Sequence, residues 1–241
     1  MGRTPPDWLT RTTYAHRGLH APGVPENSLA AALAAIERGF GIECDIQRSR
    51  DDHPMVFHDW ELDRLTNGTG ETEDYLADEL EGLSLVGTSE TPSRLQRFLE
   101  ALEGRVPLLI EIKSQPDYDV EGTALSVAQL LERYNGPAAV MSFDPRVPQW
   151  LAKSFPEICR GLVGTDSLMN GFEHVWRDPD SLDLAQPDFL AIDRRDIDRP
   201  EASEWRAASR PLLSWTIRTK QDWKAASVLA DTLIAEGEAL A

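Results

Sequence analysis

The stretch YAHRGLHAPGVPENSLAAALAAIERGFGIECDI, residues 14–46, decides the fold. A short apolar run, Tyr14–Arg17, ends in His16-Arg17 and passes into a turn rich in Gly and Pro. An alanine-rich helical stretch, Leu29–Arg38, follows, and then a second apolar run, Gly41–Ile46. A strand that returns through a helix to another strand implies parallel pairing and a right-handed crossover. Further strands read at Val106–Lys113, Ala138–Phe143, Cys159–Val163, Phe189–Asp193, Leu212–Ile217 and Thr232–Ala235. Helical patterns lie between them, as at Arg94–Glu103, Val120–Tyr134, Pro148–Phe155 and Asp222–Leu229. Eight such strands predict an α/β fold of the (β/α)8 TIM-barrel type rather than an open sheet. No GxGxxG or GxxxxGK[ST] sequence is present to favour a nucleotide-binding sheet.

One interval breaks the rhythm. Residues 54–92 hold a short strand-like MVFHD and an Asn-Gly-Thr-Gly turn in a polar context. They read as a rim insertion after strand two, too poor in apolar residues to form a unit of their own, so residues 1–241 read as one barrel domain.

Chemistry in a barrel gathers at the carboxyl ends of its strands. Side chains alternate along a strand, so Glu43 and Asp45 share one face while Cys44 turns toward the helix layer. The same rule puts Glu111 and Lys113 together, and His16 and Arg17 close the first strand. Three carboxylates in a confined site repel one another unless a cation joins them. Oxygen ligands suit one hard divalent ion, Mg2+ or Ca2+, whereas the Cys and His cluster of a structural zinc site is absent. Such an ion polarises a phosphoryl oxygen while Arg17 and Lys113 hold the remaining phosphate charge. His58 adds a second imidazole, and His16 with His58 make the acid and base that phosphodiester cleavage requires, in either order. His20, His53 and His174 read as ordinary surface or structural residues. Asp193 and Arg194 read as either a mutual pair or part of the pocket lining.

The formal net charge of −17 and the pI near 4.6 argue against nucleic acid and anionic membrane surfaces as partners. A hydrophobic content of 41% supports a full core. Two cysteines make no disulfide framework, and the N-terminus shows no signal-peptide core. With no apolar span or membrane anchor, a cytoplasmic protein is the expectation; oligomeric state stays open.

Taken together, His16-Arg17-Gly18, Pro25-Glu26-Asn27-Ser28, Glu43-x-Asp45, His58-Asp59 and Asn67-Gly-Thr-Gly resemble the signature of the glycerophosphodiester phosphodiesterase (GDPD) family. Glu111-Ile-Lys113, Ser142-Phe-Asp144 and Ser214-Trp-Thr-Ile217 are similar to its later landmarks, in order. The resemblance implies a TIM barrel with a small insertion after strand two. It also implies hydrolysis of small glycerophosphodiesters to sn-glycerol 3-phosphate and an alcohol. By position it makes His16 and His58 the acid/base pair and Glu43, Asp45 and Glu111 the metal ligands. Arg17 and Lys113 become phosphate contacts and Trp215 a wall of the substrate pocket. Ser28, Ser49 and Leu65 stand where the family usually has Thr, and LIAEGEALA at 233–241 replaces its Thr-Asp-x-Pro ending, so a role for Glu236 is left open. Two other readings compete. A phospholipase D-like enzyme on the same fold would need an apolar, membrane-facing rim. A non-catalytic phosphate-binding barrel would have lost a histidine or a metal ligand, and none is lost.

Overall fold

The computed structural model describes residues 4–241. Residues 1–3, which open the N-terminal segment and the 1–241 unit read above, lie outside the described residues. In chain order the elements begin with β1 (Tyr14–Ala15), α1 (Leu29–Glu37), β2 (Gly41–Arg48), β3 (Pro54–Val56), α2 (Ala77–Glu81) and β4 (Ser93–Arg94). Next come α3 (Leu95–Leu102), β5 (Leu108–Ile112), α4 (Val120–Leu131), β6 (Ala138–Ser142), α5 (Arg146–Ser154) and β7 (Cys159–Gly164). The chain ends through α6 (Pro179–Ala185), β8 (Phe189–Asp193), α7 (Pro200–Ala207), β9 (Leu212–Ile217), α8 (Lys220–Ala226) and β10 (Thr232–Ala235).

Strands β1, β2 and β5 to β10 pair in parallel, and the ring closes because Tyr14 lies beside both Gly41 and Ile234. This is the expected TIM barrel. Two further strands lie outside the ring: β3 runs antiparallel to β2, with Ile46 opposite Val56, and β4 antiparallel to β3. The segment they bracket packs Phe57, Leu62, Ala77, Leu80 and Leu85 into a small cluster on the rim.

Alternation along each strand sorts the core into two layers. Outward-facing Ile42, Cys44 and Ile46 join Ala32 and Ala35 of α1 and the other helices. Inward-facing Tyr14, Leu109, Met141, Phe189, Leu213 and Ile234 fill the barrel. Phe189 reaches across toward β7 only because position 161 is glycine; a Cβ there would lie 2.3 Å from the ring. The amino end of the barrel is plugged by Leu9, whose carbonyl accepts the Tyr14 hydroxyl at 2.9 Å. Apolar filling therefore occupies the bottom and middle of the barrel, and the polar inward positions fall at its carboxyl end.

Several boundaries differ from the sequence reading. The first strand stops at Ala15, because Arg17 and Gly18 adopt positive φ (56° and 78°) and turn the chain. The strand read in MVFHD is Pro54–Val56, so His58 lies on the loop beyond it. Helix α5 starts at Arg146, ahead of Pro148, since a first-turn proline sacrifices no helical hydrogen bond.

Candidate active site

Glu43 and Asp45 on β2 and Glu111 on β5 meet at the mouth of the barrel, where Asp45 is the register partner of Glu111. Ligand oxygens of all three lie within 4.8 Å of one another, and all three residues are buried. Their charges are not equally matched. The Lys113 ammonium bridges Asp45 Oδ1 at 2.8 Å and Glu111 Oε1 at 2.7 Å. Burial opposes the Asp45 carboxylate, but Lys113, His58 and Arg17 outweigh it and hold its pKa well below the usual range. Among the described residues Glu43 accepts one hydrogen bond, from the Arg17 backbone N–H at 2.9 Å, with the His16 ring 4.0 Å away. Burial, and then repulsion from Asp45 and Glu111, push its pKa well above the usual range. A buried carboxylate facing two others without a cation of its own is the arrangement that an oxygen-preferring divalent ion relieves. The donor set present fits that ion.

The turn between β1 and α1 supplies the cationic side. Ser28 caps α1 by accepting from the Ala31 N–H, the role its hydroxyl suggests. Asn27 clamps Asp45, donating Nδ2 to Oδ2 at 2.9 Å and accepting the Asp45 N–H. Glu26 accepts from Arg17 Nη1 at 2.6 Å and also from Arg64 of the rim insertion. Arg17 Nε, 3.2 Å from Asp45 Oδ2, is buried yet finds no hydrogen-bond acceptor there. The sequence reading assigned no task to Glu26 or Asn27, although both stand in a stretch it quoted.

Each of the two imidazoles is backed by a carboxylate. His16 Nδ1 lies 2.5 Å from Glu236 Oε2, at the carboxyl end of β10, and Arg218 holds the other Glu236 oxygen at 2.6 Å. His58 Nδ1 lies 2.6 Å from Asp59 Oδ1, and Arg64 donates to both Asp59 oxygens. Burial opposes ionisation of Glu236, but its bonds to His16 and His20 outweigh this and keep its pKa below the carboxylate range. An ionised carboxylate only accepts, so Nδ1–H of His16 donates and Nε2 is left with its lone pair. Burial in turn lowers the His16 pKa. The sequence reading left Glu236 open and set His20 aside; the structure places His20 Nε2 3.4 Å from Glu236 Oε2.

All the expected site residues, His16, Arg17, Glu43, Asp45, His58, Glu111, Lys113 and Trp215, line one cleft of about 750 Å3. That size suits a small organic ligand. Trp215 stands edge-on to Phe143 at 5.5 Å and donates its indole N–H to the Ala191 carbonyl, forming the wall opposite the carboxylates. Asp193 and Arg194 both line this cleft, the second of the two readings, while Asp193 pairs with Arg195 at 2.5 Å and Arg194 reaches Asp222 at 3.1 Å. His53 and His174 stay outside the cleft, the latter on Asp166. Among the described residues no helix is long and apolar enough to cross a membrane.

This constellation can be set beside known proteins. The glycerophosphoryl diester phosphodiesterase family model matches residues 16–234. The chain is 34% identical over 159 residues to YhdW of Bacillus subtilis, covering 62% of this chain and 64% of that protein. It is 46% identical over 100 residues to a glycerophosphodiester phosphodiesterase of Caldanaerobacter subterraneus, covering 41% of this chain and 37% of that one. The matched stretches thus span less than two thirds of those relatives' own lengths. In three dimensions the chain superposes on an Oleispira antarctica phosphodiesterase, solved with its product sn-glycerol 3-phosphate, with a TM-score of 0.81 and 24% identity, covering 93% and 92% of the two chains. That likeness speaks for the barrel. Because the match begins at His16 and runs through every strand that carries a site residue, the chain belongs to the glycerophosphoryl diester phosphodiesterase family.

Proposed function

We propose that this protein is a metal-dependent phosphodiesterase that hydrolyses small glycerophosphodiesters to sn-glycerol 3-phosphate and an alcohol. The observation that carries the reading is buried Glu43, set against Asp45 and Glu111 without a cation of its own. Glu43, Asp45 and Glu111 would hold one Mg2+ or Ca2+, which when bound supplies Lewis-acid polarisation of a phosphoryl oxygen. Arg17 and Lys113 hold and neutralise the remaining phosphate oxygens. Trp215 and Phe143 close the apolar wall against the organic part of the diester.

The two ring environments divide the proton work. His16, buried and neutral with Nε2 unprotonated, takes the proton of the attacking water as its oxygen bonds to phosphorus. His58, nearer the solvent and paired with Asp59, gives its Nε2 proton to the alcohol oxygen as the phosphorus–oxygen bond breaks. Together the two steps leave the net proton count unchanged.

The test is release of sn-glycerol 3-phosphate from a panel of glycerophosphocholine, glycerophosphoethanolamine and lysophosphatidylcholine. Protein dialysed against EDTA should lose turnover on the first two and regain it with Mg2+ or Ca2+. Full turnover in chelator would overturn the metal reading. Cleavage of lysophosphatidylcholine alone would overturn the substrate class.

A further inference from the structure

We propose that His16, His20 and Glu236 form a second, nitrogen-rich cation site that takes Zn2+ and switches the enzyme off. The sequence builds the site through one reversal of the chain. After β1, the positive φ of Arg17 and Gly18 folds the backbone over, and the His20 N–H donates to the Gly18 carbonyl at 3.0 Å. The His16 N–H donates to the Ala235 carbonyl at 2.8 Å, which sets both rings beside Glu236. Glu236 Oε2 then faces His16 Nδ1 at 2.5 Å and His20 Nε2 at 3.4 Å, and the three donors lie within 4.8 Å of one another.

Two imidazoles and one carboxylate are a zinc donor set with a fourth position left for water. The all-oxygen group of Glu43, Asp45 and Glu111 instead suits a hard ion. Zinc bonds of about 2.0–2.1 Å in a tetrahedron separate the donors by roughly 3.3 Å, so His20 and Glu236 already match and His16 needs to retreat by about 1 Å. Arg218 fixes the second Glu236 oxygen at 2.6 Å, the kind of outer contact that orients a ligating carboxylate. The His20 side chain is 26% exposed, which gives an ion an entry path. The net charge of −17 enriches cations around the chain.

Zinc on Nδ1 displaces the proton that Glu236 holds there. The ring keeps a single proton, now on Nε2, where it can no longer accept one from water. This inhibition rests on His16 being the base; the binding does not.

The experiment titrates ZnCl2 into enzyme saturated with Mg2+, by calorimetry and by turnover, with Co2+ visible spectra to report coordination. The expected result is one tight site per chain, with an inhibition midpoint that a tenfold rise in Mg2+ leaves in place. His20→Ala should turn over within about threefold of wild type without zinc, yet need roughly 10–100 times more zinc for half-inhibition. Equal zinc sensitivity in His20→Ala, or relief by Mg2+, would overturn the site and leave the base assignment standing. Tight His20-dependent binding that spares turnover would overturn the switch and the base assignment together.

Discussion

His16 with Glu236 and His58 with Asp59 are the same device built in two ways. In the first pair the partners are 220 residues apart and meet only when the barrel closes. In the second they are neighbours in sequence on a rim loop. The His16 side chain is 12% exposed and the His58 side chain 28%, so one ring works inside the barrel and the other at its edge. The difference suits the opposite proton tasks proposed for the two rings. A base needs a ring kept neutral by burial, and an acid needs one recharged from solvent.

The sharpest way to break this contrast is to change the leaving group. His16→Ala should lower kcat by roughly 10²–10⁴-fold on glycerophosphocholine and equally on a nitrophenyl diester. His58→Ala should lose as much on glycerophosphocholine but recover most of it on the nitrophenyl diester, because nitrophenolate departs without a proton. Steady-state kinetics of the four combinations decide it. The reverse pattern would exchange the two roles, and equal losses everywhere would leave neither residue as the acid.

The two pairs also show what the sequence could reveal. Alternation along β2 and β5, continued one residue past β5 to Lys113, puts Glu43, Asp45, Glu111 and Lys113 on one face, and it is legible in the sequence because the rule is local. His58-Asp59 was visible for the same reason. Glu236 stayed open because LIAEGEALA departs from the family's ending, and the closing of β10 against β1 does not by itself say which side chain meets His16. His20 was hidden behind the left-handed turn at Arg17, a conformation that arginine seldom adopts. Asp193 and Arg194 do line the cleft, one of their two readings, but the partner of Asp193 is Arg195, two residues on.

A smaller effect sharpens the comparison at the carboxylates. In the proposed mechanism an imidazolium develops at His16 beside Glu236, so Glu236→Gln should reduce kcat by roughly 10–100-fold with KM little changed, and Glu236→Asp should restore part of it. Asp59→Asn should cost less, under about tenfold. Asp59 orients the His58 ring through one bond at the exposed rim, where water can take its place. An Asp59→Asn loss exceeding that of Glu236→Gln would reverse the ranking and put the tighter proton coupling at the rim.

The smallest expected effect lies in stability and compares the two carboxylates flanking the His16 ring. Burial and then Asp45 and Glu111 raise the Glu43 pKa, whereas the bonds from His16 and His20 overcome burial and lower that of Glu236. An acid whose folded pKa is raised opposes folding once it is charged, and this penalty grows as pH climbs above the unfolded value of about 4.3. An acid whose folded pKa is depressed favours folding above that value, and the benefit is lost as pH falls through its folded pKa. In EDTA at neutral pH, Glu43→Gln should therefore raise Tm and Glu236→Gln should lower it, by roughly 2–4 °C for each kcal/mol involved. The Glu43→Gln gain should shrink toward pH 4, where the wild-type carboxyl holds its proton in the folded and the unfolded state alike. Adding Mg2+ should reverse the order. Wild type gains about 2.7 kcal/mol at a hundredfold excess of metal over Kd, while Glu43→Gln, short of a ligand, gains much less. Scanning calorimetry with and without metal reads all of these. A Glu43→Gln protein less stable than wild type in chelator would mean that the Arg17 N–H and the nearby His16 ring already satisfy Glu43, and the case for a cation at that carboxylate would fall with it.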